Sequence, residues 1–222
     1  NVEVTSCTFT NIGRRGLVFV NAKDVTVRSC DLSYIGGIGI HMNGGNRQTL
    51  EPGNNKIINC HFYALSREIK TYSPAINLTG VGGTIEGNTI HNGPHQAIMF
   101  SGNDHKILYN EIYDVVKEAA DSAAIYAGRD WTMRGTEIAY NYIHDVAKDP
   151  QITHQVSAIG VYLDDMLSGI NLHHNIFNNI NEAFLLNCGQ DNIFENNVVL
   201  NSESGMRLSN RGETIARADM EP

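Results

Sequence analysis

Three aspartates lie in two similar segments of the sequence. Asp121 immediately precedes Ser-Ala-Ala-Ile-Tyr-Ala-Gly, and Asp164 and Asp165 follow Gly-Val-Tyr-Leu. Hydrolysis of a glycosidic bond generally needs two carboxyl groups, a protonated donor and an ionised nucleophile or base. Crowded carboxylates raise one another's pKa, which helps to keep one of them protonated. These segments are therefore candidates for such chemistry. The alternative is that the aspartates only turn corners of the chain.

Tyrosines and polar residues accompany these aspartates. A tyrosine offers a sugar an apolar ring face and a polar tip, so stacked tyrosines beside His and Asn suit a sugar platform. The candidate substrate-binding residues are His41, Asn77, His95, Glu118, Tyr126, Arg129, Asp130 and Tyr162. An ordinary exposed ladder of stacked side chains is the alternative interpretation.

A short repeat positions all of these residues. Its first pattern is a small or polar residue, any residue, an apolar residue, any residue and a polar residue. The pattern begins at Cys7, Cys30, Cys60, Asn88, Asn110, Asn141, Asn175 and Asn197. The steps between these positions are 23, 30, 28, 22, 31, 34 and 22 residues. A basal turn of about 22 residues, lengthened by insertions, explains every step.

A second pattern follows the first in every turn, and it begins with Gly or Ala and then alternates in polarity. It begins at Gly16, Gly39, Ala75, Ala97, Ala124, Gly160, Ala183 and Gly205. Alternation at period two indicates strands, and Gly, Asn and Asp supply the corners between them. A single turn cannot bury its own apolar face, so the turns must stack with equivalent strands paired in parallel.

These patterns predict an all-β fold, a right-handed, single-stranded parallel β-helix of about eight turns with two strands in each turn. The domain spans residues 1–210, and residues 211–222 form a terminal edge or tail. Because the repeat begins at residue 1 without a capping segment, we expect a fragment of a longer protein.

Insertions gather around the second strand. They cover Leu65–Pro74, Val115–Ser122 and Ala147–Ser157 before it, and Gly44–Asn55 and Arg129–Gly135 after it. Solenoids place function on the face where insertions cluster. The outward column of the second strand is therefore the predicted groove floor, and it consists of Val18, His41, Asn77, Met99, Tyr126, Tyr162, Leu185 and Arg207.

The cysteines fit the core better than a metal site. Cys7, Cys30 and Cys60 share one repeat position, which predicts stacked, inward, reduced thiols, with disulfides as the alternative. No Cys/His spacing is typical of zinc. His144 and the pair His173-His174 lie away from the insertions, so we expect solvated or corner-bonding histidines and no metal site.

The overall charge restricts the partners. The formal net charge is −8 and no stripe of Lys and Arg is visible, which disfavours nucleic acid and strongly anionic substrates. No apolar run approaches the ~18–20 residues that span a bilayer. A neutral or lightly charged partner fits best.

Four blocks of sequence resemble a known family. They are Asp121-Ser-Ala-Ala-Ile-Tyr-Ala-Gly-Arg-Asp-Trp131, Arg134-Gly135, Asn141-Tyr-Ile-His-Asp145 and Val161-Tyr-Leu-Asp-Asp165. They resemble bacterial right-handed β-helix proteins of the pectate-lyase-like superfamily, in particular glycoside hydrolase family 141, over residues 84–210. The resemblance implies a hydrolase of plant or bacterial polysaccharide that uses a carboxylate pair, Asp121 and Asp164, with Asp165 as the substitute for Asp164. We expect a secreted or periplasmic bacterial enzyme without a cofactor.

Two other classes of function stay open. A polysaccharide lyase or epimerase would need a base for the C5 proton, for which Tyr126, Tyr162, His95 or His154 could serve. It would also need a cation to neutralise the uronate, and Asp164-Asp165 could hold calcium. A non-catalytic glycan-binding or structural β-helix is the remaining class, because a fold does not fix a function.

Overall fold

The computed structural model describes residues 1–119, 121–146 and 158–211. These residues form three parallel sheets of eight strands each, and every turn contributes one strand to each sheet. The predicted right-handed parallel β-helix of about eight turns is confirmed. The predicted tail lies outside the described residues except for Arg211. No helix among the described residues is long and apolar enough to cross a membrane.

The strands are numbered in chain order. The first sheet contains β1 (Val2–Thr5), β4 (Val25–Arg28), β7 (Lys56–Ile58), β10 (Thr84–Glu86), β13 (Lys106–Leu108), β16 (Glu137–Ala139), β19 (Asn171–His173) and β22 (Ile193–Glu195). The second sheet contains β2 (Thr8–Thr10), β5 (Asp31–Ser33), β8 (His61–Tyr63), β11 (Thr89–His91), β14 (Glu111–Tyr113), β17 (Tyr142–Val146), β20 (Ile176–Ile180) and β23 (Val198–Leu200). The third sheet contains β3 (Leu17–Phe19), β6 (Ile40–Gly44), β9 (Ile76–Val81), β12 (Ile98–Asn103), β15 (Ser122–Gly128), β18 (Ala158–Asp164), β21 (Glu182–Asn187) and β24 (Ser204–Ser209).

The prediction of two strands per turn was wrong, because each turn has three. Only two residues separate a strand of the first sheet from the next strand in the second sheet. The first of those two residues has a positive φ in every turn. These residues are Ser6, Ser29, Asn59, Gly87, Tyr109, Tyr140, His174 and Asn196. Turns are recognised in a sequence mainly by Gly and Pro. This bend is only two residues long and its first residue varies in type, including two tyrosines, so the sequence gives little sign of it.

A ladder of asparagine side chains fills these bends, as predicted. Asn141 Oδ1 accepts hydrogen bonds from the backbone N–H and from Nδ2 of Asn110, both at 2.9 Å. Asn141 Nδ2 donates to the Ile107 carbonyl and to Asn175 Oδ1, both at 2.9 Å. Asn88, Asn110 and Asn175 repeat this arrangement with their own neighbours. The ladder therefore satisfies polar groups that each bend buries.

Two cysteines continue the ladder toward the first turn. Cys30 and Cys60 are buried, and the backbone N–H of Cys60 donates to Asn88 Oδ1 at 2.9 Å. Burial raises the pKa of the Cys60 thiol to about 11, so this thiol stays protonated and unreactive at neutral pH. Cys7 was also expected inside but is exposed, since it belongs to the first turn.

Loss of one ladder amide should destabilise the fold strongly. Asn141→Ala removes the acceptor of the Asn110 backbone N–H and the hydrogen bond from the side chain to the Ile107 carbonyl. It also removes one of the two bonds made by Asn110 Nδ2 and one of those accepted by Asn175 Oδ1. Because buried unpaired groups cost ~1–3 kcal/mol each, we expect the free energy of unfolding in urea to fall by about 3 kcal/mol. The control is Asn178→Ala, the same change on the outer face of β20, where a loss of about 0.5 kcal/mol is expected. Equal losses for the two variants would contradict the role of the ladder.

The cysteines give a second prediction. Cys7, Cys30, Cys60 and Cys188 are all free thiols in the structure. A thiol count on unfolded, unreduced protein should therefore find four reactive groups. A count of two or none would show that disulfides form and would reject the interpretation of the cysteines as core thiols.

Candidate active site

The outward column of the third sheet has the register that the sequence predicted. Strand pairing places its residues opposite one another in the order Val18, His41, Asn77, Met99, Tyr126, Tyr162, Leu185 and Arg207. The side chains of this column are not all exposed to solvent, because Tyr162 is only 3% exposed and Leu185 is buried as well. The predicted open groove floor is therefore partly covered at these two positions.

Strand β15 of the third sheet is bent at Ala124 and Ile125. In β15 both Ala124 and Ile125 contact the main core, whereas Ala123 belongs to a small outer cluster with Ile159 and Tyr162. Consecutive residues of a straight strand point to opposite faces, so two inward neighbours require a bend. Gly160 occupies the equivalent position in β18, where a Cβ would lie 2.5 Å from the Ala183 carbonyl oxygen. The repeat therefore requires a small residue at this position.

A pocket of about 210 Å³ lies on the outer side of the bend. Its lining residues are Tyr72, Gln96, Asp121, Tyr126, Arg129, Tyr162 and Asp164. Both aspartates proposed as a pair thus line one pocket, together with three of the predicted substrate-binding residues. Asp121 lies just before β15, and Asp164 is the last residue of β18, so they approach the pocket from opposite ends of neighbouring strands. Tyr72 and Gln96 were missed by the sequence analysis.

Asp164 is the most heavily bonded group of the pocket. Its Oδ2 accepts a hydrogen bond from the Tyr126 hydroxyl at 2.9 Å. Its Oδ1 accepts from Asn187 Nδ2 and from the Asp165 backbone N–H, both at 2.9 Å. Burial acts to raise the pKa of Asp164, but these donors and the Tyr162 hydroxyl hold that pKa below its usual value. Asp164 is therefore a carboxylate at neutral pH.

Two arginines balance the charge of Asp164 and Asp165. Arg129 Nε lies 3.3 Å from Asp164 Oδ2 and 3.5 Å from Asp165 Oδ2. Arg211 Nε lies 3.4 Å from Asp165 Oδ1. The Asp164 side chain is only 4% exposed, whereas that of Arg129 is 66% exposed. Arg129 thus covers the carboxylates at the solvent side of the pocket.

The hydroxyls of the two tyrosines of the sheet belong to the hydrogen-bond network around Asp164, since Tyr126 donates to Asp164 and Tyr162 accepts from Asn187 Nδ2 at 2.7 Å. Burial and the neighbouring Asp164 charge raise the pKa of Tyr126 and of Tyr162 far above the usual value. Their rings meet edge to face with centroids 5.4 Å apart. Both phenols consequently stay protonated over the whole physiological range, which removes them as acceptors of a substrate proton.

Several predicted residues lie elsewhere. Asp130 accepts hydrogen bonds from Arg47 at 2.8 Å and from the Thr132 hydroxyl at 2.6 Å, so it joins two loops. Glu118 pairs with Lys70. His41 and Asn77 are in the outward column, in turns two and three, and do not line the pocket. His154 and the whole insertion 147–157 lie outside the described residues.

Within residues 1–119, 121–146 and 158–211, no group of three or more His, Cys, Asp or Glu side chains is arranged to hold a metal ion. Asp164 accepts hydrogen bonds from protein donors, whereas Asp165 faces Arg129 and Arg211 at 3.5 and 3.4 Å and its buried Oδ1 has no hydrogen-bond partner in the described part of the chain.

The sequence matches a family model, the right-handed β-helix region, over residues 1–73 and 74–218. This chain belongs to the right-handed β-helix family. Among curated proteins the sequence finds no match.

Solved structures share the β-helix architecture at low sequence identity. A glycoside hydrolase is 19% identical with a TM-score of 0.70, and the alignment covers 90% of this chain and 37% of that protein. The A-module of the mannuronan C-5 epimerase AlgE4 of Azotobacter vinelandii is 11% identical (TM-score 0.71; 93% of this chain and 55% of that one). PfbA, a surface adhesin of Streptococcus pneumoniae, is 13% identical (TM-score 0.55; 91% and 60%). This β-helix spans 37% to 60% of their lengths, and these identities support a common fold alone.

His95 lies at the edge of the pocket. It is buried, its ring centroid is 5.5 Å from that of Tyr72, and its Nδ1 lies 3.5 Å from the Ser122 hydroxyl. Burial lowers the pKa of His95 below the usual 6.5, so the ring is neutral at pH 7.

The lowered pKa of His95 can be tested by NMR titration. Because the folded protein binds this proton more weakly than the unfolded chain does, the stability from neutral His95 is complete above pH 6.5 and falls as the pH decreases. We expect the His95 ring signals to titrate with a midpoint below 6.5. The variant His95→Asn assigns the signals by their disappearance. A midpoint at or above 6.5 would show that the ring is more solvated or better paired than the structure indicates.

Proposed function

We propose that this β-helix is a carbohydrate-active enzyme, a glycoside hydrolase whose active site is the pocket between Asp121 and Asp164. The observation that carries the proposal is the contrast between these two carboxyl groups. Asp164 is buried, ionised and held by several donors, whereas Asp121 is exposed at the other end of the same pocket. Glycosidases need two carboxyl groups in different protonation states, and such states arise from different environments.

Asp164 suits the role of the ionised partner. Its fixed hydrogen bonds orient one carboxylate toward the pocket and keep it charged, as a nucleophile or as the base that activates water requires. The same donors make it a poor acid, since protonation would break their charge-assisted bonds. The role of proton donor to the leaving-group oxygen is assigned to Asp121 because it is the second carboxyl group that lines the pocket, and Asp165 is the alternative to Asp164.

The size of the pocket limits what it can hold. Pockets for drug-sized ligands measure roughly 300–1,000 Å³, so about 210 Å³ suits one sugar ring with the rest of a glycan outside. We infer that a polysaccharide or oligosaccharide places a single residue here.

The reaction consists of proton transfer and carboxylate chemistry and needs no cofactor. A secreted or periplasmic location would give the enzyme access to such a substrate.

A lyase or epimerase on the same fold is the second candidate. Its support is the exposed Arg129, which could face a uronate carboxylate, and the neutral His95, which could accept a proton. The raised pKa values of Tyr126 and Tyr162 disfavour a tyrosine base. The protein donors bound to Asp164 and the two arginines beside Asp165 disfavour a calcium-dependent route.

The proposal is tested by product analysis on the full-length protein with a panel of polysaccharides. Hydrolysis gives new reducing ends alone, whereas a lyase gives unsaturated ends that absorb ultraviolet light. We expect Asp121→Asn and Asp164→Asn each to lower turnover by about 10²-fold or more while the circular dichroism spectrum is retained.

The matched control is Asp31→Asn, the same chemical change at an exposed strand residue of the second sheet, which should leave turnover unchanged. Near-wild-type turnover in both pocket variants would exclude the pair from the mechanism. Unsaturated products would replace the hydrolase with the lyase, and retention on glycans without any product would leave a binding role.

A further inference from the structure

Tyr72 is the open aromatic ring of the pocket. It belongs to the insertion Leu65–Pro74 and is 70% exposed. Tyr126 and Tyr162, the residues predicted as a sugar platform, contact each other edge to face, and Tyr162 is almost completely buried. A sugar ring that stacks on an aromatic needs an accessible ring face. Among the described lining residues, Tyr72 offers the most open one.

The structure also holds Tyr72 in place. Its ring packs against the buried His95 ring at a centroid distance of 5.5 Å and an interplanar angle of 48°. This contact uses one side of the tyrosine and fixes the ring at the edge of the pocket. The insertion therefore brings a positioned aromatic surface to a pocket that otherwise consists of residues from the third sheet and its corners.

Gln96 supplies an unused hydrogen-bonding group next to this ring. The side chain is only 4% exposed and lines the pocket. Its amide interacts with the neighbouring His95 ring, which acts to raise the pKa of His95, but its Oε1 has no partner at hydrogen-bond geometry among the described residues. Buried amide oxygens are normally paired, so this one points to a missing donor. A sugar hydroxyl in the pocket, with a rotation of the Gln96 amide, would provide that donor.

The charges of the lining disfavour an acidic sugar. Asp164 contributes a carboxylate that is ionised at neutral pH, and the single guanidinium of Arg129 is already engaged 3.3 Å from it. A uronate or sulfated residue would add a second negative group beside Asp164, and like charges in a partly desolvated pocket repel. A neutral residue brings hydroxyl donors without this repulsion.

We propose that the pocket binds a neutral sugar residue, which stacks on Tyr72 and donates a hydroxyl hydrogen bond to Gln96. This inference rests on the proposed carbohydrate-directed function and specifies its substrate class. It assigns recognition to Tyr72 and Gln96, whereas the carboxylates perform the chemistry.

The test measures binding separately from turnover, by affinity electrophoresis of the full-length protein in gels. The probes are neutral polysaccharides (xylan, galactan and xyloglucan) and acidic ones (polygalacturonate and alginate). We expect retardation by a neutral probe, a dissociation constant raised about tenfold or more in Tyr72→Ala, and near-wild-type binding in Tyr72→Phe. Gln96→Leu should also weaken binding. The control is Tyr109→Ala, because Tyr109 is likewise an exposed tyrosine with a positive φ, but it lies between the first and second sheets.

Three results would overturn the inference: wild-type binding by Tyr72→Ala, tighter retardation by polygalacturonate or alginate than by every neutral probe, or no retardation by any neutral probe. Failure of the inference is distinguishable from failure of the proposed function. If Tyr72→Ala binds normally while Asp164→Asn is inactive, the proposed hydrolase is supported and the role of Tyr72 in sugar binding is rejected. If Tyr72→Ala loses binding while both aspartate variants retain turnover, the role of Tyr72 in sugar binding is supported and the catalytic role of Asp121 and Asp164 is rejected.

Discussion

The hydrogen bonds from turn to turn at the sharp bend between the first two sheets are the interaction on which the rest of the structure depends. Each bend buries backbone N–H and carbonyl groups that the strands leave unpaired, and in turns four to seven one asparagine bonds both the preceding and the following turn. Because an amide is both donor and acceptor, identical residues can stack indefinitely in this position. Such stacking fixes the register of all three sheets, since a slip in one sheet would break the ladder.

A fixed register is what allows the pocket to form. The hydrogen bonds of Asp164, in turn six, come from Tyr126 in turn five and Asn187 in turn seven. These two donors are 38 and 23 residues away from Asp164 in the sequence, respectively. Their donor–acceptor distances of 2.9 Å require neighbouring turns to be aligned to within a fraction of one residue. The solenoid thereby supplies a preorganised set of donors around one carboxylate, which reduces the reorganisation needed during a reaction.

The sequence predicted what is periodic and missed what is not. The column from Val18 to Arg207 was predicted residue by residue, because one alternating pattern recurs in every turn. The strand of the first sheet was missed because a two-residue bend leaves little turn signal. Tyr72 was missed for a different reason, since the path of an insertion follows from its own contacts rather than from the repeat. The burial of Tyr162 likewise depends on the surroundings of the sheet, which strand alternation does not encode.

The electrostatic asymmetry of the pocket sets limits on any chemistry there. Hydrogen bonds and Arg129 favour the charged form of Asp164, while that charge and burial favour the neutral forms of Tyr126 and Tyr162. The carboxylate and the phenols thus fix each other's protonation states, and a proton donor has to come from a group outside this network. Asp121 is the other carboxyl group that lines this pocket; it is exposed, and its charge also raises the pKa of Tyr162. The pocket thus holds one carboxylate that is ionised at neutral pH and a second, exposed carboxyl group, and the proposed acid–base work on a glycosidic bond requires the second group to carry the proton.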